Sequence, residues 1–233
     1  MAEWIPAPGL QVAIDGPSGS GKGTVAAMLA RKLGLPVLDT GLLYRFVGWK
    51  LAALGVPLDD EAAVLAALDA ALADMRWRED GILDGEQNVT AALRGEDVGR
   101  LASKVAAMPE VRARLLEVQR RCAESGCVMD GRDIGSTVLP GAQAKFFLTA
   151  SERERARRRW RQLRERDPEI DLDAVHHDIR MRDAQDAERA HSPLKQAEDA
   201  IRIDSTTLRV DEVVDRMLAI MERRGLIRRA EPA

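Results

Sequence analysis

The stretch Val12–Thr24, VAIDGPSGSGKGT, constrains the fold of this chain more than any other. Val12, Ala13 and Ile14 are apolar and read as a strand. Gly16, Gly19, Gly21 and Gly23 then free the backbone to curl, and TVAAMLARKL from Thr24 onward reads as a helix. A glycine loop that turns a strand into a helix points several backbone N–H groups at one place, and the helix dipole adds positive potential there. Lys22 adds a full positive charge. The ligand this arrangement suits is a chain of phosphates. The residues that would hold it are Gly16, Pro17, Ser18, Gly19, Ser20, Gly21, Lys22, Gly23 and Thr24.

The spacing Gly16-x4-Gly21-Lys22 matches the phosphate-binding loop. That pattern puts Ser or Thr directly after the lysine, whereas here Gly23 stands there and Thr24 follows. The ending GKGT resembles the loop of nucleoside-monophosphate kinases rather than that of GTPases or motors.

The rest of the chain supplies a frame for such a loop. Strands are expected at Val12–Asp15, Pro36–Asp39, Gly126–Asp130, Ala144–Leu148 and Ala200–Asp204. Helices follow between them: one capped by Thr40 and ended by Gly55, one capped by Asp59, then Gly99–Ala107 and Glu110–Ser125, broken at Met108-Pro109. Further helices are expected over 151–166 and 171–189 and at Val210–Arg224, with the tail GLIRRAEPA loose. Arg76–Leu93 alternates and carries the turn signals Asp80-Gly81 and Asp84-Gly85, so it reads as a small β excursion. Strands alternating with helices predict an α/β fold: a five-stranded parallel sheet with helices on both faces and ligands beyond the carboxyl ends of the strands.

Composition narrows the class. At 233 residues the chain is one sizeable domain, or one domain with an insertion. A net charge of −3 and eight aromatics without basic-aromatic interleaving give no reason to expect a nucleic-acid surface. Two cysteines, Cys122 and Cys127, and three histidines offer neither a disulfide framework nor a zinc site, which fits a cytoplasmic location. No signal peptide and no membrane-length apolar run is visible. His176, His177 and His191 are expected at the surface.

Several stretches together resemble bacterial cytidylate kinases: IDGPSGSGKGT (Ile14–Thr24), LDTGLLYR (Leu38–Arg45), SKVAAMPEVR (Ser103–Arg112), DGRDIG (Asp130–Gly135) and DSTTL (Asp204–Leu208). The resemblance runs from about residue 10 to residue 224. It implies a single kinase domain over 1–233, with a core of about 10–58, 109–152 and 190–224. It also implies a monophosphate-binding insert of about 59–108 and an arginine-rich lid of about 153–189. The implied reaction is transfer of the ATP γ-phosphate to CMP or dCMP with Mg²⁺. By the same resemblance Thr40, Tyr44 and Arg45 belong to the acceptor side, Arg45 and Arg132 to the acceptor phosphate, and Ser103, Arg112, Asp133 and Arg189 to cytosine. Arg182 and Asp186 would sit near the acceptor ribose and phosphate, and Arg158 and Arg159 match the paired lid arginines.

These residues make chemical sense by themselves. Phosphoryl transfer needs positioning and charge neutralisation more than covalent chemistry by the protein. Lys22 and the loop amides hold the donor phosphates, and Arg132, Arg158 and Arg159 add positive charge. Thr24 is a candidate for Mg²⁺, directly or through water, and Asp130, at a strand end, is a second. The second pKa of a phosphate monoester is near ~6, so the acceptor oxygen is already anionic and no histidine base is required. Asp133 can accept from the exocyclic amine of cytosine, while uracil would turn a carbonyl toward it. The segment 151–167 holds eight arginines against four acids. It reads either as a solvated helix laced by pairs such as Glu154–Arg158 or as a lid that closes on anions.

Other classes fit less well. A GTPase switch needs an NKxD element, which the chain lacks. A motor wants a glutamate after the strand-end aspartate, where Gly131 stands. Among kinases, Asp133 argues against UMP, and the motifs quoted above argue against AMP. A monomer is expected, with no nucleic-acid or membrane partner.

Overall fold

The computed structural model describes residues 4–78, 81–165, 167–188 and 194–230. Its main sheet runs through β2 (Gln11–Asp15), β3 (Val37–Asp39), β7 (Cys127–Gly131), β8 (Ala144–Thr149) and β9 (Ile201–Asp204), in the order β3-β7-β2-β8-β9. β2 lies parallel to β7 and to β8, and β9 lies parallel to β8. All five expected strands form. The chain leaves β2 toward β3 on one side and returns to β8 on the other, so the sheet reverses its winding at β2. In an open α/β sheet the ligand sits beyond the carboxyl end of the strands at such a point, and here that end is Asp15-Gly16.

Packing divides the chain into two compact units, one of residues 1–37 and 125–233 and one of residues 38–124. The first has its core in Val12, Ile14, Phe146, Leu148 and Ile203 of the sheet. Val25, Leu29 and Leu33 of α1 (Lys22–Leu33) and Val213, Met217 and Met221 of α8 (Val210–Arg223) complete it. The α6 (Glu152–Arg164) and α7 (Leu172–Glu188) helices belong to this unit too. Ser151 caps α6, its hydroxyl accepting from the Glu154 amide at 3.4 Å.

The tail differs from expectation. Ile227–Arg229 is not loose but forms β10, paired antiparallel with β1 (Trp4–Pro6) in the register Trp4↔Arg229, Ile5↔Arg228, Pro6↔Ile227. Ile227 and Trp4 are both buried in the core, and Arg229 stacks over the Trp4 ring at 5.0 Å. Apolar burial and a cation–π contact thus order a segment whose local sequence carries no strand signal.

The second unit is built on α2 (Thr40–Ala53), α3 (Glu61–Leu72), α4 (Glu96–Ala106) and α5 (Pro109–Ala123). Phe46, Leu51, Leu68, Ile82, Leu93, Val105 and Leu115 fill its core. Gly48 lets α2 meet α4 closely: a Cβ there would come within 2.8 Å of the Leu101 backbone. The β excursion is a three-stranded antiparallel sheet of β4 (Met75–Arg78), β5 (Gly81–Asp84) and β6 (Gln87–Asn88). Gly85, at φ 61°, turns β5 into β6, and Asp80 of the other turn signal lies outside the described residues. Pro109 starts α5 at its first turn, where its missing N–H costs nothing.

Two caps fall one residue away from expectation. Asp39, not Thr40, caps α2, its Oδ1 accepting from the Leu42 amide at 3.0 Å; Thr40 is the buried first residue of the helix. Asp60, not Asp59, caps α3 through the Ala63 amide at 3.1 Å, and Asp59 pairs with Lys104 at 2.8 Å. Both neighbours are capping residue types in each case, and the position whose φ and ψ are extended takes the role.

Candidate active site

The loop that leaves β2 has the backbone its glycines require. Gly16, Gly19 and Gly21 have φ of 149°, 76° and 93°. At Gly16 a Cβ would lie 1.9 Å from the carbonyl oxygen of Leu148, and at Gly19 one would lie 2.9 Å from that of Arg155. No side chain at those two positions is compatible with β8 and α6 where they stand.

Gly21 then caps α1 in the left-handed conformation. Gly21 brings no side chain to cap this helix start, and no acidic residue stands in its first turn. A helix start without its own cap or acid directs its amides and its dipole at an external anion. Lys22 is buried and folds across the loop, its Nζ donating to the Pro17 carbonyl at 2.8 Å. Thr24 is exposed on the first turn.

Two arginines of α6 hold this loop by its carbonyls. Arg155 is 5% exposed. It donates to Ser18 O at 3.0 Å and Ala150 O at 3.1 Å, and it pairs with Asp183 of α7 at 2.6 Å. Arg158 donates to Ser20 O at 3.2 Å, to Ser205 Oγ at 3.0 Å and to Ser205 O at 2.5 Å, and it pairs with Glu154 at 3.2 Å. Ser205 is itself buried and donates to Ser20 O at 3.2 Å or to Thr149 O at 3.0 Å. Arg159 is half-buried on the same helix. Arg155 and Ser205 had no place among the residues expected from sequence. A buried position in a helix of many arginines has no local signature, and Ser205 showed only as part of DSTTL.

At the end of β7, Asp130 is buried, and one of its oxygens, Oδ1, accepts no hydrogen bond among the described residues. Its Oδ2 lies 3.9 Å from where a side chain on Gly23 would begin. A buried carboxylate facing the turn after the lysine is the donor chemistry a hard divalent cation takes alongside phosphate oxygens. Arg132 and Asp133 follow directly, Arg132 half-buried with its guanidinium donating to Gly131 O at 3.3 Å, and Asp133 buried. The chain then makes a π-helical turn over Ile134–Val138. The Asp15 carboxylate accepts from the first two amides of that turn, Ile134 and Gly135, each at 2.7 Å. Burial raises Asp15 to about 6, against the pull of those two amides.

The remaining expected residues lie in the unit of residues 38–124 or on α7. Thr40, Tyr44 and Arg45 stand on the first two turns of α2. Arg112 of α5 stacks over the Tyr44 ring at 5.6 Å, so the tyrosine has an aromatic-face contact as well as a polar tip. Arg45 donates to the carbonyls of Leu93 and Gly95 at 2.9 and 2.8 Å. Ser103 is exposed on α4, its hydroxyl donating to Gly99 O at 3.0 Å. Arg182 is exposed on α7. Arg189 and the side chain of Asp186 lie outside the described residues, as does His191. His177 is exposed, and His176 sits 2.6 Å from Glu152. Cys122 and Cys127 are free thiols. Among the described residues, no helix is long and apolar enough to cross a membrane.

A parallel sheet that reverses at β2, with a glycine loop and an uncapped helix start at its carboxyl end, defines a phosphate-loop nucleotide-binding protein. A solved protein structure from Eubacterium ventriosum superimposes with a TM-score of 0.51 at 15% identity, covering 91% of this chain and 98% of that one, which speaks to the fold alone. The family model for cytidylate kinase matches residues 12–223. The cytidylate kinase of Stutzerimonas stutzeri is 48% identical over 221 residues, covering 92% of this chain and 96% of that protein. That of Vibrio cholerae is 48% identical over 219 residues, covering 91% and 95%. The chain belongs to the cytidylate kinase family. It is a kinase, an enzyme of nucleotide-dependent phosphoryl transfer.

Proposed function

We propose that this chain transfers the γ-phosphate of ATP to CMP or dCMP, giving ADP and CDP or dCDP, in pyrimidine nucleotide metabolism. The observation that carries the reading is the family match over residues 12–223, which takes in the phosphate loop and the DGRDIG segment together.

In this reading the loop amides of Gly16–Thr24 and Lys22 hold the donor phosphates, and Arg132, Arg158 and Arg159 offset charge on the phosphoryl group in transfer. Arg158 already lies against the loop at Ser20. Thr24 and Asp130 would hold Mg²⁺, directly or through water, and the metal when bound would draw charge from the phosphate oxygens. The exposed hydroxyl of Thr24 and the buried Asp130 carboxylate support that assignment. Arg45 and Arg132 bind the acceptor phosphate, Arg182 and Asp186 lie near the acceptor's ribose and phosphate, and Thr40 and Tyr44 belong to the same side. Ser103, Arg112, Asp133 and Arg189 read cytosine.

A carboxylate buried opposite the exocyclic amine rejects uracil, because the carbonyl of uracil would leave it unpaired. Discrimination on the order of 10⁴ is attainable this way. The proposal includes the division into a core, an insert of about 59–108 and a lid of about 153–189, and a monomer acting in the cytoplasm.

The test offers ATP and Mg²⁺ with CMP, dCMP, UMP or AMP and follows ADP release. Release that strongly favours CMP and dCMP is expected. Preference for UMP or AMP would keep the kinase and overturn the base assignments. Release indifferent to the acceptor would overturn the acceptor site altogether.

A further inference from the structure

Asp15 closes β2 one residue before the phosphate loop begins, and it is 3% exposed. A carboxylate there carries two costs. It is stripped of water, and its charge repels the phosphates that the loop exists to hold. Loop geometry does not require it, since the conformation of the loop comes from the glycines at 16, 19 and 21. The direct hydrogen bonds that satisfy Asp15 come from a different segment. Ile134 and Gly135 donate to its two oxygens at 2.7 Å each. These amides are the first two after Asp133, at the start of a π-helical turn, a geometry common where function fixes the backbone.

The surroundings are equally specific. A Cβ on Gly135 would lie 3.4 Å from Asp15 Oδ2 and 3.2 Å from Lys145 Cδ, so the glycine lets turn, carboxylate and β8 side chain close up. The Lys145 ammonium is turned to Pro140 O at 2.6 Å and Asp199 at 2.8 Å. Lys22 and Asp133 act on the charge of Asp15 through space, in opposite directions.

We infer that Asp15 is a positioning residue for base recognition: it clamps the backbone that carries Asp133 to the strand that carries the phosphate loop. The distance between the base-reading carboxylate and the donor phosphates is thereby set by two short hydrogen bonds to a buried anion. This rests on the proposed function, which gives Asp133 its role. A misplacement of about 1 Å in such a constellation costs on the order of 10²-fold in rate.

The test uses the full chain with ATP and Mg²⁺, and CMP or UMP as acceptor. Asp15→Asn keeps the shape but turns one oxygen into an amide donor facing an amide donor, so one of the two hydrogen bonds is lost. The expected result is a KM for CMP raised about tenfold and a CMP-to-UMP ratio of kcat/KM lowered by about as much, with the KM for ATP changed less than about threefold.

Gly135→Ala leaves the charge in place and wedges the clamp from inside, so it serves if Asp15→Asn folds poorly. It should move the same quantities in the same direction by less. A purely structural role predicts equal losses for both substrates and an unchanged ratio, and either outcome overturns the inference. Wild-type protein assayed alongside separates the two levels. No preference for CMP over UMP overturns the proposed function together with this inference. A preference that both variants preserve overturns the positioning role alone.

Discussion

Arg158 donates to the backbone carbonyl of Ser20, 3.2 Å away, and so brings α6 onto the phosphate loop. Arg155 does the same at Ser18. The arginine-rich helix is therefore neither wholly a solvated face nor wholly poised for anions. Two of its arginines hold loop carbonyls, and Glu154–Arg158 forms as the i,i+4 pair that its spacing predicted.

Arg158→Ala and Arg159→Ala should each lower turnover, by about 10²-fold where an arginine contacts charge developing in the transition state. Arg158→Ala should also lower stability by about 1–2 kcal/mol, since Ser20 and Ser205 lose their donor. Steady-state kinetics with thermal unfolding decides the matter, and turnover unchanged in both variants would end the lid reading.

Gly16→Ala and Gly23→Ala should separate sharply. A Cβ at 16 meets the Leu148 carbonyl at 1.9 Å with φ at 149°, whereas one at 23 comes no closer than 3.9 Å to Asp130 Oδ2. The first should destabilise by more than about 3 kcal/mol, the second by less than about 1 kcal/mol. Urea unfolding of the two purified variants measures this, and equal costs would contradict the loop geometry.

Asp133→Ala should lower kcat/KM for CMP by about 10³-fold while the affinity for ATP stays within about threefold. Asp133 is buried, follows the end of β7 and is not among the loop residues assigned to the donor phosphates. Titration with ATP beside a CMP rate series reads both, and equal losses would remove Asp133 from base recognition.

Asp15 gives the stability a definite pH dependence. Its ordinary value is 3.8, and the folded protein raises it to about 6, chiefly by burial. The amides of Gly135 and Ile134 oppose the rise, Asp133 adds to it, and Lys22 opposes it. Between the two values the folded state binds more protons than the unfolded state. Its contribution to stability is thus fully present below about 3.8 and is lost as the pH rises through about 6, amounting to about 2–3 kcal/mol. Unfolding free energies of wild type and Asp15→Asn from pH 4 to 8 should diverge in the variant's favour as the pH rises. A constant difference, or one of opposite sign, would show that Asp15 is not raised.

Much of the donor side was legible locally. The glycines of residues 16–23 carry their own backbone requirement, and a strand ending in such a run has few other uses. Pro109 marked the start of α5, and the alternation over residues 76–93 marked the small sheet, because these signals act within a few residues. The choices of Asp39 over Thr40 and of Asp60 over Asp59 were not legible. Both members of each pair can cap, and the approach of the preceding chain selects one.

Sequence by itself determined the order of strands and helices, the phosphate loop and its lysine, and the family motifs, since each depends on neighbours a few positions apart. Tertiary structure decided which arginines of α6 are buried on the loop, that Ile227 pairs with Pro6, and that Asp15 holds the turn at Ile134 and Gly135. The physical reason is separation along the chain. A hydrogen bond between residues more than a hundred positions apart leaves no periodicity, and only the packing of β2, β7 and α6 brings its two ends within reach.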